Sequence, residues 1–331
     1  MRKTRVRTAG ALAVVAAVAV AATACSEGGK PKDVSGSSGG GGAGDNSGYT
    51  IAMITHETPG DTFWDKIKSG AQQAAANYGI DLKYSNDPDP GQHATLIQNA
   101  IDSHVDGIAT TLDAPDAEAE SVKGAMDEGI PVVAFNQGID DYQDVGAQMY
   151  FGSDEKLAGE TAGQRITDDG GQHTLCVIQD EGSVALETRC AGVKNTSSGT
   201  ENIQVNGADD SSVVSSLQAK LSEDDSIDYI VTLGAPIALD ALQAIDAAGS
   251  DAKLVTFDLN TDAAKAIKDG SIEFSIDQQP YVQGYLAVTS LYLNVKNGND
   301  IGGGGPVLTG PSFVDASNID AILPFTENGT R

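Results

Sequence analysis

The 331-residue sequence has few basic residues, few aromatic residues and few cysteines. It holds 20 lysines and arginines against 47 aspartates and glutamates, for a formal net charge of −27, and only 5% of its residues are aromatic. Phosphate groups and anionic lipid headgroups repel a chain with such an excess of carboxylates. We therefore expect no nucleic-acid partner, and the composition indicates a soluble globular body.

Sequence motifs for metal, phosphate and cofactor binding are missing as well. The four histidines, His56, His93, His104 and His173, lack ligand spacing of the H-E-x-x-H kind, and neither G-x-x-x-x-G-K-[ST] nor G-x-G-x-x-G is found after the first strand. No residue stands out as a nucleophile. We expect no metal site and no cofactor, and an enzymatic function is the weakest of the alternatives.

The N-terminal segment has the pattern of an export signal. A cationic start at residues 2–7 precedes an apolar stretch at residues 11–22 that is too short to span a bilayer. Residues 1–24 are therefore predicted to be a signal peptide, and residues 25–48 a flexible Gly/Ser-rich linker. The placement of Cys25 resembles the lipobox of bacterial lipoproteins, which implies lipidation of Cys25 and a lipid anchor. An ordinary secretory signal is the alternative.

Two cysteines remain once Cys25 is assigned to lipid. Cys176 and Cys190 are 14 positions apart, the first in a predicted strand and the second in the helix that follows. An oxidising compartment outside the cytoplasm favours their pairing. We expect one local disulfide, and two separately buried thiols are the alternative.

From Tyr49 onward, short apolar runs alternate with amphipathic stretches. The first unit is a strand at YTIAMIT and a helix over residues 62–78 that places Phe63, Ile67 and Ala71 on one face. Apolar strands separated by helices predict parallel sheets covered on both faces. About ten such units are too many for one sheet of ordinary size. We therefore predict an α/β fold with two doubly wound domains and a ligand site at the carboxyl ends of the strands.

Several segments together resemble the sugar-binding proteins of the type I periplasmic-binding-protein family. They are IAMITHETPGDTFWDKIKSGAQQAA, IPVVAFNQG, FGSDEKLAGETAG, ETRCAGV, LVTFD and IDQQPYVQGYLA, and the likeness covers residues 49–320. The resemblance implies two domains joined by a three-segment hinge. The N-terminal domain would comprise residues 49–152 plus 278–308, and the C-terminal domain residues 153–277 plus 309–325.

The same resemblance implies a ligand site between the domains. An aromatic pair, Phe63 and Trp64, would stack on the apolar face of a sugar ring or polyol chain. The other expected ligand-binding residues are His56, Asp61, Asn136, Gln137, Glu187, Asp258 and Gln278. Four of these have other possible roles: Phe63 in core packing, Asp258 in helix capping, Gln278 in the hinge, and Glu187 on a solvated helix face.

The chain departs from ribose binders at two places in this site. Asn136-Gln137 stand where ribose binders carry Asp-Arg, and Glu187 stands where they carry an arginine, which leaves Arg189 to a structural role. Loss of two cationic groups argues against an anionic ligand. The expected ligand is a small neutral sugar, a polyol such as a tetritol, pentitol or inositol, or a cationic derivative.

The resemblance also implies the partners and the location of the protein. The function expected is a monomeric solute receptor of an ABC importer that binds a small sugar or polyol by hinge closure and presents it to the ABC permease. It would be lipid-anchored on the extracytoplasmic face of the bacterial cell membrane. The alternative is a sugar-sensing receptor of the same fold and ligand class that acts on a signalling partner.

Overall fold

The computed structural model describes residues 47–58 and 62–331 of the protein. The predicted signal peptide, most of the linker, the lipidation site Cys25 and the candidate ligand residue Asp61 lie outside these ranges. Within them, no helix is both long enough and apolar enough to cross a bilayer.

The described residues form strands and helices that alternate along most of the chain. In chain order they are β1 (Thr50–Thr55), α1 (Phe63–Tyr78), β2 (Asp81–Asn86), α2 (Pro90–Asp102), β3 (Gly107–Thr110), α3 (Pro115–Asp127), β4 (Val132–Asn136), β5 (Met149–Gly152), α4 (Glu155–Asp168), β6 (Thr174–Ile178), α5 (Val184–Thr196), β7 (Glu201–Gln204), α6 (Asp210–Glu223), β8 (Tyr229–Thr232), α7 (Ala235–Ala248), β9 (Lys253–Phe257), α8 (Thr261–Asp269), β10 (Phe274–Asp277), α9 (Pro280–Asn297), β11 (Val307–Leu308), β12 (Ser312–Asp315) and α10 (Ile319–Glu327).

These strands form two six-stranded sheets. The first has the order β11-β5-β4-β3-β1-β2 and the second the order β12-β10-β9-β8-β6-β7. Every neighbouring pair is parallel except β10 and β12. The prediction of two parallel-sheet α/β halves is confirmed. The antiparallel edge strand β12, the two-residue β11 and the last helix α10 were not predicted from the sequence.

The chain passes between the two sheets three times. It leaves the first sheet after β5, returns to it after β10, and crosses again between β11 and β12. The central strands are buried along nearly their whole length, whereas β2 and β7 at sheet edges are partly exposed. Burial on both faces explains why the central strands read as continuous apolar runs.

Helices α1 and α9 pack with their backbones in contact. A Cβ atom added at Gly70 would lie 2.0 Å from the carbonyl oxygen of Tyr281, and one at Gly284 would lie 2.0 Å from that of Ile67. Only glycine permits this approach. The contact fixes α1 against the first sheet and so sets the position of its N-terminal aromatic residues, Phe63 and Trp64.

Cys176 in β6 and Cys190 in α5 form a disulfide, with their Cα atoms 5.8 Å apart. Both cysteines are fully buried in a hydrophobic cluster of the second half. The pairing that the sequence predicts is present in the structure, and it joins a strand to the helix that covers it.

Candidate functional site

A hydrogen-bonded chain of side chains joins strand ends of the two sheets. Asn136 ends β4 in the first sheet, Asp258 follows β9 in the second, and Gln278 follows β10. Gln278 Nε2 donates to Asp258 Oδ1 at 2.9 Å, and Asn136 Nδ2 donates to Gln278 Oε1 at 3.4 Å. Three residues predicted from the sequence therefore lie together where the halves meet.

The backbone at two of these strand ends is left-handed. Asn136 has φ 65° and Asp258 has φ 63°, a region that asparagine and aspartate enter more readily than most other residues. Such conformations cost free energy and occur often at binding sites. The conformation turns the chain sharply at the end of each strand, where both side chains join the Gln278 network.

Asp258 has an unusual protonation equilibrium for an aspartate. Burial raises its pKa to about 7, although the nearby Arg189 charge and the hydrogen bond from Gln278 both favour the ionised form. The carboxyl group is therefore poised near neutral pH. The group can accept hydrogen bonds when ionised, and donate one when protonated.

Arg189 has the structural role that the sequence leaves to it. Its guanidinium pairs with Glu155 at the start of α4, donates to the carbonyl oxygen of Leu233 at 3.4 Å, and lies 5.0 Å from the ring centre of Phe257. Both members of the ion pair are buried. Because Glu155 neutralises the arginine, Arg189 leaves little positive charge to attract an anionic ligand.

His56 and Gln137 form a second polar group, on the first sheet. Gln137 Nε2 lies 3.0 Å from His56 Nε2, and His56 Nδ1 lies 2.8 Å from Thr111 Oγ1. Since the Gln137 amide donates to Nε2, the ring proton is on Nδ1 and is donated to Thr111. Burial lowers the pKa of His56 to about 3, so the imidazole is neutral at physiological pH.

The aromatic pair lies beside His56. The Trp64 ring is edge-to-face with His56, with ring centres 4.7 Å apart, and edge-to-face with Phe63 at 5.3 Å. Trp64 is only 4% exposed and belongs to the hydrophobic cluster that contains Ile67, whereas Phe63 packs at the edge of that cluster and is half-buried. Trp64 is thus a buried support for His56, and Phe63 is the more accessible of the two rings.

Glu187 lies outside these groups. It is exposed on α5, and its carboxylate accepts a hydrogen bond from Gln204 on the edge strand β7 at 3.3 Å. Such a placement matches the solvated helix face that was the alternative reading of this residue.

Two carboxylates that follow strand ends are not among the site residues predicted from the sequence. Asp113 lies after β3, with Oδ1 3.9 Å from His56 Nε2, and Asp180 lies after β6 in the other half. Burial raises the pKa of both, and the charge of Asp113 raises the pKa of Asp180 further. Their position directly after apolar runs, in …TTLD and …VIQD, is the signal that could have found them.

A possible cation-binding group occurs elsewhere in the described residues. His173, Glu201 and Asp224 bring candidate ligand atoms within 4.8 Å of one another. Lys220 Nζ, however, lies 2.8 Å from Glu201 Oε1, and its charge disfavours a cation there. This group lies near the surface of the second half. It is separate from the polar groups around Asn136, Asp258 and His56, which together are called the strand-end site below.

The strand-end site therefore combines hydrogen-bond acceptors, an amide donor and a partly accessible aromatic ring. Its acceptors are the carboxyl groups of Asp113, Asp180 and Asp258, and its donor is the second amide proton of Gln137, since the amide protons of Asn136 and the lone pair of His56 are used within the site. Such a set suits a compact ligand that carries several hydroxyl groups and an apolar face.

Comparison with known proteins agrees with this chemistry. A family model described as the periplasmic binding protein domain matches residues 51–300. A carbohydrate transporter from Acidothermus cellulolyticus 11B, solved in complex with myo-inositol, is 55% identical, with a TM-score of 0.83 over 86% of this chain and 99% of that one.

More distant relatives bind pentoses. The xylose/arabinose-binding protein of Sulfolobus acidocaldarius is 25% identical over 83% of this chain and 73% of its own length. The ribose import binding protein of Bacillus subtilis is 24% identical over 74% of this chain and 81% of its own length. These relatives are binding and transport proteins, which confirms the prediction that the protein is not an enzyme. The matched residues span most of the sequence, and the chain belongs to the periplasmic binding protein family.

Proposed function

We propose that this protein is the extracytoplasmic solute receptor of an ABC importer and that its ligand is a neutral cyclic polyol of the myo-inositol type. The observation that carries the proposal is the 55% identity to a transporter solved in complex with myo-inositol. The match covers 86% of this chain and 99% of that one. The polar composition of the strand-end site supports the same ligand class.

The charges around the site favour a neutral ligand. Arg189 is neutralised by Glu155, whereas Asp113 and Asp180 have no comparably close basic partner among the ion pairs of the described residues. Carboxylates repel phosphate and carboxylate groups but accept hydrogen bonds from hydroxyls. A polyol satisfies these acceptors, and an acidic sugar does not.

Ligand capture is proposed to occur by closure of two domains. Residues 49–152 plus 278–308 would form one domain and residues 153–277 plus 309–325 the other, and the three connecting segments would act as the hinge. Closure removes water from the ligand and strengthens its hydrogen bonds. The closed monomer would then present its ligand to the ABC permease, held near the membrane by a lipid on Cys25.

Isothermal titration calorimetry with a defined panel of ligands tests the proposal. The panel is myo-inositol, scyllo-inositol, D-ribose, D-xylose, sorbitol and myo-inositol monophosphate. We expect myo-inositol to bind best. The phosphate ester should not bind, because the carboxylates of Asp113 and Asp180 would repel its phosphate group. A ligand at 100 times its Kd should stabilise the protein by about 2.7 kcal/mol in a thermal unfolding assay. Tight binding of a pentose without binding of inositols would contradict the proposed ligand class.

A further inference from the structure

A fully buried carboxyl group lies beside a fully buried imidazole in the first half. Glu118 on α3 is 0% exposed and His93 on α2 is 1% exposed, and His93 Nδ1 lies 3.4 Å from Glu118 Oε1. Among the described residues, no hydrogen bond of normal geometry reaches either carboxyl oxygen. A polar group in such a place is costly unless a proton is shared with a neighbour.

Thr110 decides which nitrogen of His93 carries a proton. The Thr110 hydroxyl donates its one proton to the carbonyl oxygen of Thr111 at 3.0 Å. Its oxygen also lies 2.9 Å from His93 Nε2, so Nε2–H must be the donor of that second bond. In the neutral ring, Nδ1 then presents a lone pair towards Glu118. The Glu118 carboxyl group can form a hydrogen bond with that lone pair only when it is protonated and acts as the donor.

The surroundings favour the neutral pair over an ion pair. Burial lowers the pKa of His93 to about 4, and burial together with the charge of Asp113 raises the pKa of Glu118 to about 8. Three other titratable groups act on the ring: His56 lowers the pKa of His93 further, and Asp113 and Asp87 raise it. At pH 7 the proton therefore lies on the carboxyl.

The pair is connected to the ligand site through the end of β3. His93 holds Thr110, and the hydroxyl of the next residue, Thr111, accepts from the backbone N–H of His56 at 3.2 Å and contacts its ring at 2.8 Å. His56 in turn contacts Gln137. A rotation of the His93 ring would therefore move the strand end that holds His56 in place.

We propose that Glu118 is a positioning residue of the ligand site: its carboxyl proton is donated to His93 Nδ1, and the ring so fixed holds the end of β3 and, through it, His56. This inference rests on the proposed function in so far as His56 takes part in ligand binding. When Glu118 ionises, the neutral ring can donate to the carboxylate only by moving its proton from Nε2 to Nδ1, and the Nε2–H donor that holds Thr110 is then lost. Ligand affinity should therefore decline in alkaline solution.

Nitrogen NMR of the histidine rings tests the proton arrangement without any ligand. The chain has four histidines, and the His93 signals are assigned by their absence from a His93→Gln variant. We expect Nε2 protonated and Nδ1 unprotonated at pH 7, with an Nδ1 signal that titrates near pH 8 in the wild type and not in Glu118→Gln. A proton on Nδ1 at pH 7, or the same titration in Glu118→Gln, overturns the proposal.

Calorimetry with myo-inositol from pH 6 to 9.5 tests the effect on binding. In Glu118→Gln the amide N–H can still donate to Nδ1, so we expect affinity within about threefold of wild type at pH 7 and no alkaline decline. Glu118→Met, which has no donor, should bind about tenfold more weakly, in the range of couplings that residues without ligand contact exert. The matched control is Glu120→Gln, an exposed change on the same helix.

The outcomes separate the two proposals. If Glu118→Met binds as tightly as wild type with the same pH profile, Glu118 does not position the site. Should Glu118→Met fail to fold, the pH profile of Glu118→Gln decides, since a merely structural role predicts no change in that profile. If the wild type does not bind myo-inositol at all, the proposed ligand is wrong, and the NMR titration still decides whether Glu118 holds the proton.

Discussion

Gln278 donates a hydrogen bond from its side-chain amide to Oδ1 of Asp258 at 2.9 Å. The carbonyl oxygen of the same amide accepts hydrogen bonds from Asn136 Nδ2 at 3.4 Å and from Gln283 Nε2 at 3.1 Å. Gln278 is only 3% exposed. One buried side chain thus connects strand ends of the two sheets at a point where the chain crosses between them, and any motion of the halves must rearrange it.

Replacement of Trp64 should affect both stability and binding. Trp64 is 4% exposed and supports the His56 ring, so we expect Trp64→Ala to lower the free energy of unfolding by about 3–5 kcal/mol and to weaken myo-inositol binding. Urea denaturation and calorimetry measure the two effects. The control is Phe325→Ala, since Phe325 is 53% exposed.

Trp64 also offers an optical test because it is the only tryptophan of the chain. Ligand binding next to His56 should change its fluorescence. Undiminished affinity in Trp64→Ala, with wild-type emission unaffected by ligand, would show that the residue serves only the core.

The pKa of Asp258 predicts a pH-dependent stability. The value is raised from 3.8 to about 7 in the folded protein, so between these values the folded state holds a proton that the unfolded chain has lost. The contribution of Asp258 to the free energy of unfolding is therefore full below about pH 4 and is lost as the pH rises to about 7.

Comparison of Asp258→Asn with the wild type isolates this contribution. In urea denaturation at pH 4.5, 5.5, 6.5 and 7.5, the difference in free energy of unfolding between the two proteins should change with pH. The exposed change Asp246→Asn is the control. Loss of the carboxylate should also weaken myo-inositol binding at pH 8 by about 1–3 kcal/mol. Equal pH dependence of both proteins would contradict the raised pKa.

Reduction of the disulfide should destabilise the second half. The bond between Cys176 and Cys190 closes a loop with a sequence separation of 14, and loss of such a crosslink costs about 3 kcal/mol. We expect dithiothreitol to lower the urea midpoint of the wild type. A Cys176→Ala/Cys190→Ala protein should be insensitive to the reductant, and a wild type that is equally insensitive would argue against the bond.

Cys25 is predicted to anchor the protein, and this prediction concerns a segment outside the described residues. The wild type should fractionate with membranes in the native bacterium, whereas Cys25→Ala should be released or left unprocessed. Recovery of the wild type in the soluble secreted fraction would support an ordinary secretory signal instead.

The sequence predicts most elements of the fold, including the edge strands β2 and β7, but not β11 and β12 at the opposite edges of the two sheets. Buried strands and amphipathic helices have local periodicities that a single chain displays, and the helices around Phe63 and Cys190 lie where those patterns place them. Strand β11 has two residues and β12 pairs antiparallel. Neither has a long apolar run, so neither could be recognised without its partner strand.

The site was predictable only in part, for a similar reason. Strand ends indicate Asn136 and Asp258 because parallel strands place ligand sites at their carboxyl ends. The structure joins both to Gln278, but it buries Trp64 and leaves Glu187 at the surface beside Gln204. Whether a helix residue points into a cleft, a core or solvent depends on packing that helical spacing alone does not specify.

By itself, the sequence determined the alternation of strands and helices, the division into two halves and the chemical types of residue at the strand ends, since each depends on residues close together in the chain. Only the tertiary structure decided which strand ends meet. Asn136 and Gln278 are 142 positions apart, and Arg189 and Glu155 are 34 apart. Such contacts, like the burial of Glu118 against His93, arise when whole elements pack, and no local pattern encodes them.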